Sequence, residues 1–311
     1  MSALHIVVTC SNRKTQEVPS HLRLGSVGGS TTVERAQLWT SRLAADRTVP
    51  LPARELYSGE HWSVAGTLPT EYEGSDNAHL WVCSAGYGLI SADAPIRPYS
   101  ATFTSGHPDS VPWQSGSAAA WWQALAAWEG PQPGVPRSIS TLASADPDGT
   151  FLLVLSPPYL RATRDDVIEA SAVVNDTNRF MVVSAGAGPN HELASLIVPA
   201  DARVQTALRG SRLSINARVA RALVISRALT RSTAIATMRE IVEDQPAPTI
   251  YRRQQMSDDE IVSYISNSLS QVSRVSPTRL LRSLRDSGRA CEQNRFHQLY
   301  ARITGGRHGD R

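Results

Sequence analysis

The sequence contains one lysine, Lys14, although arginine supplies the other thirty basic residues. Both residues serve a solvated surface equally well, but they differ where a compact ammonium group must reach one particular atom. Lys14 closely follows the apolar run Leu4 to Val8. We therefore expect Lys14 to have a role that arginine would not fill; the alternative is a surface lysine retained by chance.

Cysteine and histidine are too few and too scattered for a structural framework. The three cysteines show no metal-type spacing, and the eight histidines form neither His-x-His nor His-Glu-x-x-His. These absences exclude a disulfide framework and a zinc site, and they fit the reducing cytosol. The N-terminus lacks the pattern of a signal peptide, and no apolar run approaches membrane-spanning length. We expect a cytoplasmic protein that needs no metal or cofactor and makes no membrane contact.

The charge is unevenly spread along the chain. Residues 1–204 carry 13 basic and 19 acidic residues, whereas residues 205–311 carry 18 arginines and 9 acidic residues. This asymmetry predicts an α/β domain over 1–204 and a basic helical region over 205–311 that binds an anionic polymer. The alternative is that two oppositely charged segments of the chain pack on each other.

Short apolar runs rich in β-branched residues alternate with segments of helical character. The predicted strands are Leu4 to Thr9, His79 to Cys83, Thr150 to Leu155 and Arg179 to Val183. The predicted helices between them are Thr32 to Asp46, Gly116 to Trp128 and Arg161 to Val174. Nearly continuous apolar runs are typical of strands buried on both faces of a parallel sheet. The alternation predicts the α/β class, with a central four-stranded parallel sheet.

Serine follows each of the four predicted strands. These serines are Ser11, Ser84, Ser156 and Ser184, with Gly86 and Gly186 beside the second and fourth. In open parallel sheets, ligands bind in the crevice outside the carboxyl ends of the strands. We expect the serines to line one wide, polar crevice, in which the glycines let a flat ligand approach the backbone.

The C-terminal region reads as basic helices. Ala217 to Leu229 predicts an amphipathic helix, and Ser257 predicts the N-cap of another. Ser276 to Ile303 resembles a helix-turn-helix, with Phe296, Leu299 and Tyr300 in its core. The side chains expected to contact DNA are Arg279, Arg282, Arg285, Arg289, Gln293, Asn294, His297 and Arg302.

Four short motifs in the first hundred residues occur in a characteristic order. They are Cys10-Ser11-x-x-Lys14, Ala53-Arg54-Glu55-Leu56-Tyr57, Ser84-Ala85-x-Tyr87-Gly88-Leu89-Ile90 and Pro98-Tyr99. This set resembles the uracil-DNA-glycosylase-like domain of small bacterial proteins, a relative of which accompanies archaeal tRNA-guanine transglycosylase and archaeosine synthase. The likeness covers about residues 4–103 and continues more weakly to about 200. The archaeosine-synthase pattern continues Lys-Pro-Tyr, whereas this chain has Lys14-Thr15-Gln16, which weakens a role in lysine transfer onto a deazaguanine.

The resemblance implies a three-layer α/β/α sandwich with a base-binding pocket at the strand ends. Together with the basic C-terminal helices, it resembles bacterial anti-phage DNA glycosylases, which excise a bulky modified base such as glucosylated hydroxymethylcytosine. The implied catalytic residues are Asn12, which would orient a water, and Lys14, which offers a Schiff base as the other route. The implied base-binding residues are Ser11, Arg54, Glu55, Ser84, Gly86, Tyr87, Tyr99, Ser184, Asn190 and His191, with Tyr87 and Tyr99 as stacking platforms.

The leading hypothesis is therefore a DNA glycosylase that flips a modified cytosine out of double-stranded phage DNA and leaves an abasic site. A nucleoside N-glycosidase or base-exchange enzyme of deazaguanine metabolism is a second possibility, and it would not need the basic helices. A third is a non-enzymatic DNA-binding regulator whose α/β domain senses a nucleotide.

Overall fold

The computed structural model describes residues 2–72, 77–111, 117–186, 192–200, 202–246, 253–271 and 275–305. The chain forms two compact units, Met1–Pro246 and Ala247–Arg311. No helix within these described residues is both long and apolar enough to span a bilayer.

The first unit contains a central sheet surrounded by helices. Its strands are β1 Leu4–Thr9, β2 Leu51–Pro52, β3 Ala78–Ser84, β4 Gly88–Ser91, β5 Pro95–Ile96, β6 Thr150–Val154 and β7 Phe180–Val183. Its helices are α1 Thr32–Ala45, α2 Ala53–Leu56, α3 Glu60–Ala65, α4 Leu68–Glu71, α5 Ser117–Ala127, α6 Ile139–Ala145, α7 Pro157–Ala162, α8 Arg164–Val173, α9 Arg203–Leu208, α10 Ile215–Ile225 and α11 Arg231–Glu243. Short 3-10 turns lie at Ser20–Leu22, Leu24–Ser26 and Thr177–Arg179.

The central sheet has five strands in the order β4-β3-β1-β6-β7. Four strands run parallel, and every residue of β1, β6 and β7 is buried. The four strands predicted from the apolar runs are thus confirmed, as is the α/β class. The prediction of only four strands is wrong: β4 adds an antiparallel edge strand, paired with β3. Gly88 adopts φ +74, a conformation that favours glycine, at the tight turn that joins these two strands.

The three helices predicted between the strands are present, with one change. Helices α1 and α5 lie within the predicted segments. The helix expected over Arg161 to Val174 is instead two helices, α7 and α8, which meet at Thr163. Pro157 at the first turn starts α7 earlier than the apolar pattern indicates. The layering implied by the glycosylase resemblance stays a prediction.

The chain path creates a crevice between β1 and β6. From β1 the chain passes to β3 and β4 on one side, and it later returns to β6 and β7 on the other side. The loops that leave β1 and β6 therefore diverge, so the carboxyl ends of these neighbouring strands border an open space. Ligands of open α/β sheets bind at such a topological switch point.

Helices α9 to α11 belong to the first unit, so the boundary falls at 246/247 rather than at 204/205. They contribute to its core with buried Val204, Ala217, Val219, Ala220, Leu223, Val224, Ala234 and Met238. Arg218 pairs with Glu60 at 3.1 Å, and Arg221 pairs with Glu71 at 2.8 Å. For this segment, the structure therefore agrees with the alternative that basic helices pack on the acidic body.

The second unit is a small helical assembly with its own core. Its elements are β8 Gln254–Gln255, α12 Asp258–Gln271, α13 Pro277–Asp286, β9 Arg289–Ala290 and α14 Gln293–Gly305. Strands β8 and β9 pair in parallel, and the buried Leu281, Leu284 and Phe296 join α13 to α14. Two helices with a short connection are thus present where they were expected; their role in DNA binding stays a prediction. This unit carries 11 of the arginines and 6 acidic residues.

The revised boundary predicts how shortened chains behave. A chain of residues 1–246 should fold with a cooperative thermal transition, because it retains the whole first core. A chain of residues 1–204 should aggregate or remain unfolded, since it lacks the buried side chains of α10 and α11. Circular dichroism during heating distinguishes the two, and a cooperative transition of the 1–204 chain would contradict the boundary.

Candidate functional site

A cleft of about 460 Å³ lies at the carboxyl ends of β1 and β6, at the topological switch point. Its lining comes from the end of β1 and the loop after it, the start of α3, the segment after β5, the start of α7 after β6, and the residues before and at the start of α10. The lining residues are Thr9, Cys10, Ser11, Asn12, Arg13, Gly59, Glu60, His61, Thr102, Thr104, Ser156, Tyr159, Ser211, Leu213 and Asn216. Most of these side chains are polar, so the cleft suits a ligand with many hydrogen-bonding groups.

Asn12 lies exposed at the cleft, in the loop that follows β1. The neighbouring Ser11 hydroxyl donates to the carbonyl of Ser58 at 2.6 Å and accepts from the Arg13 amide at 3.2 Å. No hydrogen bond to the Asn12 carboxamide is present among the described residues. Its amide is therefore available to a ligand or a water.

Lys14 supports this loop from behind and lies outside the lining of the cleft. Its Nζ donates to the carbonyls of Ser11 at 2.7 Å and Asn12 at 3.4 Å. The same Nζ lies 4.5 Å from the centre of the Tyr99 ring and 5.2 Å from that of Tyr57. Burial lowers the pKa of Lys14 to about 8. The ammonium thus lies between two aromatic rings and two backbone carbonyls; that arginine could not replace it stays a prediction.

The aromatic residues of the motifs form a buried cluster instead of stacking platforms. Tyr87 and Tyr99 are 2% and 0% exposed, so a flipped base cannot stack on them. The Tyr99 hydroxyl bonds to the hydroxyls of Tyr57 at 2.8 Å and Ser84 at 2.6 Å. Burial raises the pKa of Tyr57 and Tyr99, so both phenols stay neutral. A Cβ atom at Gly86 would overlap the Tyr99 ring. The space beside this glycine, which was expected to admit a flat ligand, is therefore occupied by Tyr99.

The serines at the strand ends divide into two pairs. Ser11 and Ser156 line the cleft, as expected. Ser84 is buried, and its hydroxyl accepts from the amides of Gly86 and Tyr87 at 3.1 and 3.0 Å. Ser184 is also buried, and its Oγ has no partner within the described part of the chain. The crevice predicted from four serines therefore contains only two of them.

Arg54 and Glu55 lie on the surface and outside the cleft lining. Arg54 pairs with Asp93 at 2.6 Å. Glu55 is exposed, and its backbone carbonyl accepts from the Thr15 hydroxyl at 2.9 Å. Neither occupies the expected base-binding position. Asn190 and His191, the other expected base contacts, lie outside the described residues.

Several cleft residues were not predicted from the sequence. Glu60 and His61 are the first two residues of α3, which begins shortly after the Ala53 to Tyr57 motif. Their proximity to that motif in the sequence was a signal that could have identified them. Glu60 accepts from the Ser211 amide, the Ser214 hydroxyl and Arg218, and these bonds lower the pKa of Glu60 to about 2.

Asn216 forms part of the floor of the cleft. It accepts from the Ala185 amide at 2.7 Å and donates to the Leu155 carbonyl at 3.2 Å, so it ties α10 to the ends of β6 and β7. No three His, Cys, Asp or Glu side chains in the described ranges lie together as a metal site would require.

The expected DNA contacts of the second unit differ in their exposure. Arg279, Arg282, Arg289, Gln293 and Arg302 are exposed. Arg285 is half-buried and donates to the Cys291 carbonyl at 3.0 Å, so it supports the turn between the helices. His297 is half-buried, with Nε2 buried and unpartnered among the described residues, so it is not the outward-facing residue that was expected. The side chain of Asn294 lies outside the described residues.

The single lysine makes its titration directly observable. In protein labelled with ¹³Cε-lysine, we expect one NMR signal with a midpoint near pH 8, because burial disfavours the charged form. The urea-unfolded chain, as the control, should titrate near the free-lysine value of about 10.4. Between these two values the unfolded chain binds the extra proton, so this site adds stability as the pH rises. A folded-state midpoint above 10 would contradict the burial of Lys14.

Gly86→Ala tests the packing of Tyr99. We expect the free energy of unfolding to fall by about 1–3 kcal/mol, because the added methyl group overlaps the ring. Gly28→Ala is the matched control, since a Cβ there meets no atom within 4 Å, and it should change stability by no more than about 0.5 kcal/mol. Urea denaturation measures both, and equal stability of the two variants would refute the contact.

Comparison with protein-family models, with curated proteins and with solved structures found no match to this chain. No relative's activity is thus carried over to the cleft. A function for this protein rests on the position of the cleft at the switch point, on its polar lining and on the chemistry of Asn12, Glu60 and His61.

Proposed function

We propose that the protein is a DNA glycosylase that hydrolyses the N-glycosidic bond of a modified cytosine. The observation that carries this proposal is the polar cleft at the switch point between β1 and β6. Its volume of about 460 Å³ is ample for a single base, and pockets for small ligands span about 300–1,000 Å³. The order of the four motifs in the first hundred residues adds the resemblance to glycosylase-like domains.

The lining suits the charge that develops during hydrolysis. Breaking the glycosidic bond gives the sugar oxocarbenium character, which nearby negative charge stabilises. Glu60 can supply that charge, because it stays ionised with a pKa near 2. Its bonds, including the one from Arg218, all engage Oε1, so Oε2 has no partner among the described residues. The exposed carboxamide of Asn12 can orient the attacking water. The position of Lys14 behind the loop favours water over a lysine Schiff base, so the product is an intact abasic site.

A surface beside the cleft fits a nucleic-acid strand. Leu213 lines the cleft and is 86% exposed, and the exposed Arg209 and Arg212 lie in the same segment. An exposed apolar side chain close in sequence to cationic groups can enter a base step while the arginines contact phosphates. The exposed arginines of the second unit supply further phosphate contacts.

The hydroxyl groups in the cleft favour a base with a polar appendage. Ser11, Thr102, Thr104 and Ser156 are among the lining residues, and hydroxyls both donate to and accept from the hydroxyls of a sugar. We therefore favour glucosylated hydroxymethylcytosine, a base of modified phage DNA, over plain cytosine or uracil. Excision of this base would make the protein an antiviral enzyme.

Mass spectrometry of released bases tests the proposal. The full chain should release the modified base from phage DNA that contains glucosylated hydroxymethylcytosine and release almost none from unmodified DNA. Asn12→Ala should reduce the rate by about 10²-fold, as the loss of one preorganised polar group does in other active sites. Arg54→Ala, a surface change outside the cleft, is the matched control and should keep the wild-type rate.

Other outcomes would favour the alternatives. If residues 1–246 alone release the base from free nucleosides as fast as the full chain does, the protein is a nucleoside N-glycosidase, because every described lining residue of the cleft lies in that segment. DNA binding without release of any base would indicate a regulator. Ready release of plain uracil would contradict the selection of a modified base.

A further inference from the structure

His61 is the cleft residue whose chemistry remains unassigned. It is the second residue of α3, directly after the turn at Gly59, which adopts φ +97. The ring is half-buried and lines the cleft together with Asn12 and Glu60. Its location follows from a tight turn and a packed helix, so the ring has little freedom to leave the cleft.

One hydrogen bond defines the tautomer of His61. Nε2 lies 3.0 Å from the backbone carbonyl of Thr9, at the end of β1. A carbonyl oxygen only accepts, so Nε2 must carry the proton. In the neutral ring, Nδ1 then has a free lone pair, and none of the described residues donates to it. A histidine held through one nitrogen, with the other unprotonated in a cleft, has the arrangement of a general base.

The surroundings keep the ring neutral. Burial lowers the pKa of His61, and this effect exceeds the opposing effect of the hydrogen bond to Thr9. The other titratable groups in the lining are Cys10, Arg13, Glu60 and Tyr159. Glu60 is already bonded to Arg218 and to the segment before α10.

We propose that His61 is the general base of this cleft and that its Nδ1 takes a proton from the attacking water. The inference rests on the proposed function. The water oxygen forms a bond to the anomeric carbon while the bond from that carbon to the base nitrogen breaks, and its electron pair leaves with the base. The proton on Nδ1 then passes to the departing base or to solvent, so the products are a protonated base and an abasic sugar.

Asn12, Glu60 and Tyr159 cannot take this role at neutral pH. The Asn12 amide has no basic nitrogen. Glu60 is too weak a base, because its pKa is near 2. Burial raises the pKa of the Tyr159 phenol, which stays protonated. Asn12 therefore positions the water and Glu60 stabilises the cationic sugar, while His61 accepts the proton.

His61→Gln tests the proposal in the full chain. The glutamine amide can still donate to the Thr9 carbonyl but has no titratable nitrogen, so the fold should be kept, as thermal unfolding will verify. Single-turnover release of the modified base from phage DNA should fall by about 10²-fold at pH 7.5. Wild-type rates should decline in acid with a midpoint below the ordinary histidine value of about 6.5, because burial lowers the pKa of His61, and this acidic decline should vanish in His61→Gln.

His79→Gln is the matched control, because His79 is exposed at the opposite end of the sheet and outside the cleft; it should retain the wild-type rate and acidic decline. A His61→Gln rate within twofold of wild type would overturn the role of His61 and leave the glycosylase proposal standing. A folded variant that is slower by the same factor at every pH, with the acidic decline intact, would also overturn it. A wild-type chain that releases no base would overturn the proposed function, and this inference with it.

Discussion

The contact of the Lys14 ammonium with the Ser11 carbonyl and the Tyr99 ring holds one wall of the cleft in place. It fixes the loop after β1 from behind, so that Ser11 and Asn12 face the open side. Tyr99 can receive the ammonium because its hydroxyl bonds to Tyr57 and Ser84 and its ring packs on Gly86. The four motifs of the first hundred residues thus hold one wall of the cleft in place, and Ser11 and Asn12 form the face of that wall.

The opposite wall comes from a segment far away in the sequence. Asn216 joins α10 to the ends of β6 and β7, and Glu60 joins α3 to the segment before α10. The Glu60 carboxylate therefore has two effects. Its hydrogen bonds hold α10 in place, and the same bonds keep Glu60 ionised in the cleft. Changes in α10 would accordingly alter the charge environment of the cleft, although no arginine of that helix belongs to its lining.

The sequence predicted those features that depend on local pattern. Buried parallel strands need apolar side chains on both faces, so β1, β3, β6 and β7 were visible as continuous apolar runs. Lys14 also stood out, because it is the only lysine. The predictions failed where the contact partner of a residue is distant in the sequence. The space beside Gly86 is filled by the Tyr99 ring. Arg218 and Arg221 have acidic partners about 150 residues away. The spacing of residues along a chain carries no information about such pairs. The sequence alone therefore could not distinguish a buried serine from a serine that lines the cleft.

The boundary between the two units, at 246/247, affects how this protein can evolve. Within the described residues, the lining of the cleft ends at Asn216, and the second unit has a separate core around Leu284 and Phe296. Recombination between these units would exchange one helical module for another while the cleft stayed whole. A lineage could thus replace its last 65 residues without passing through intermediates that had lost the cleft.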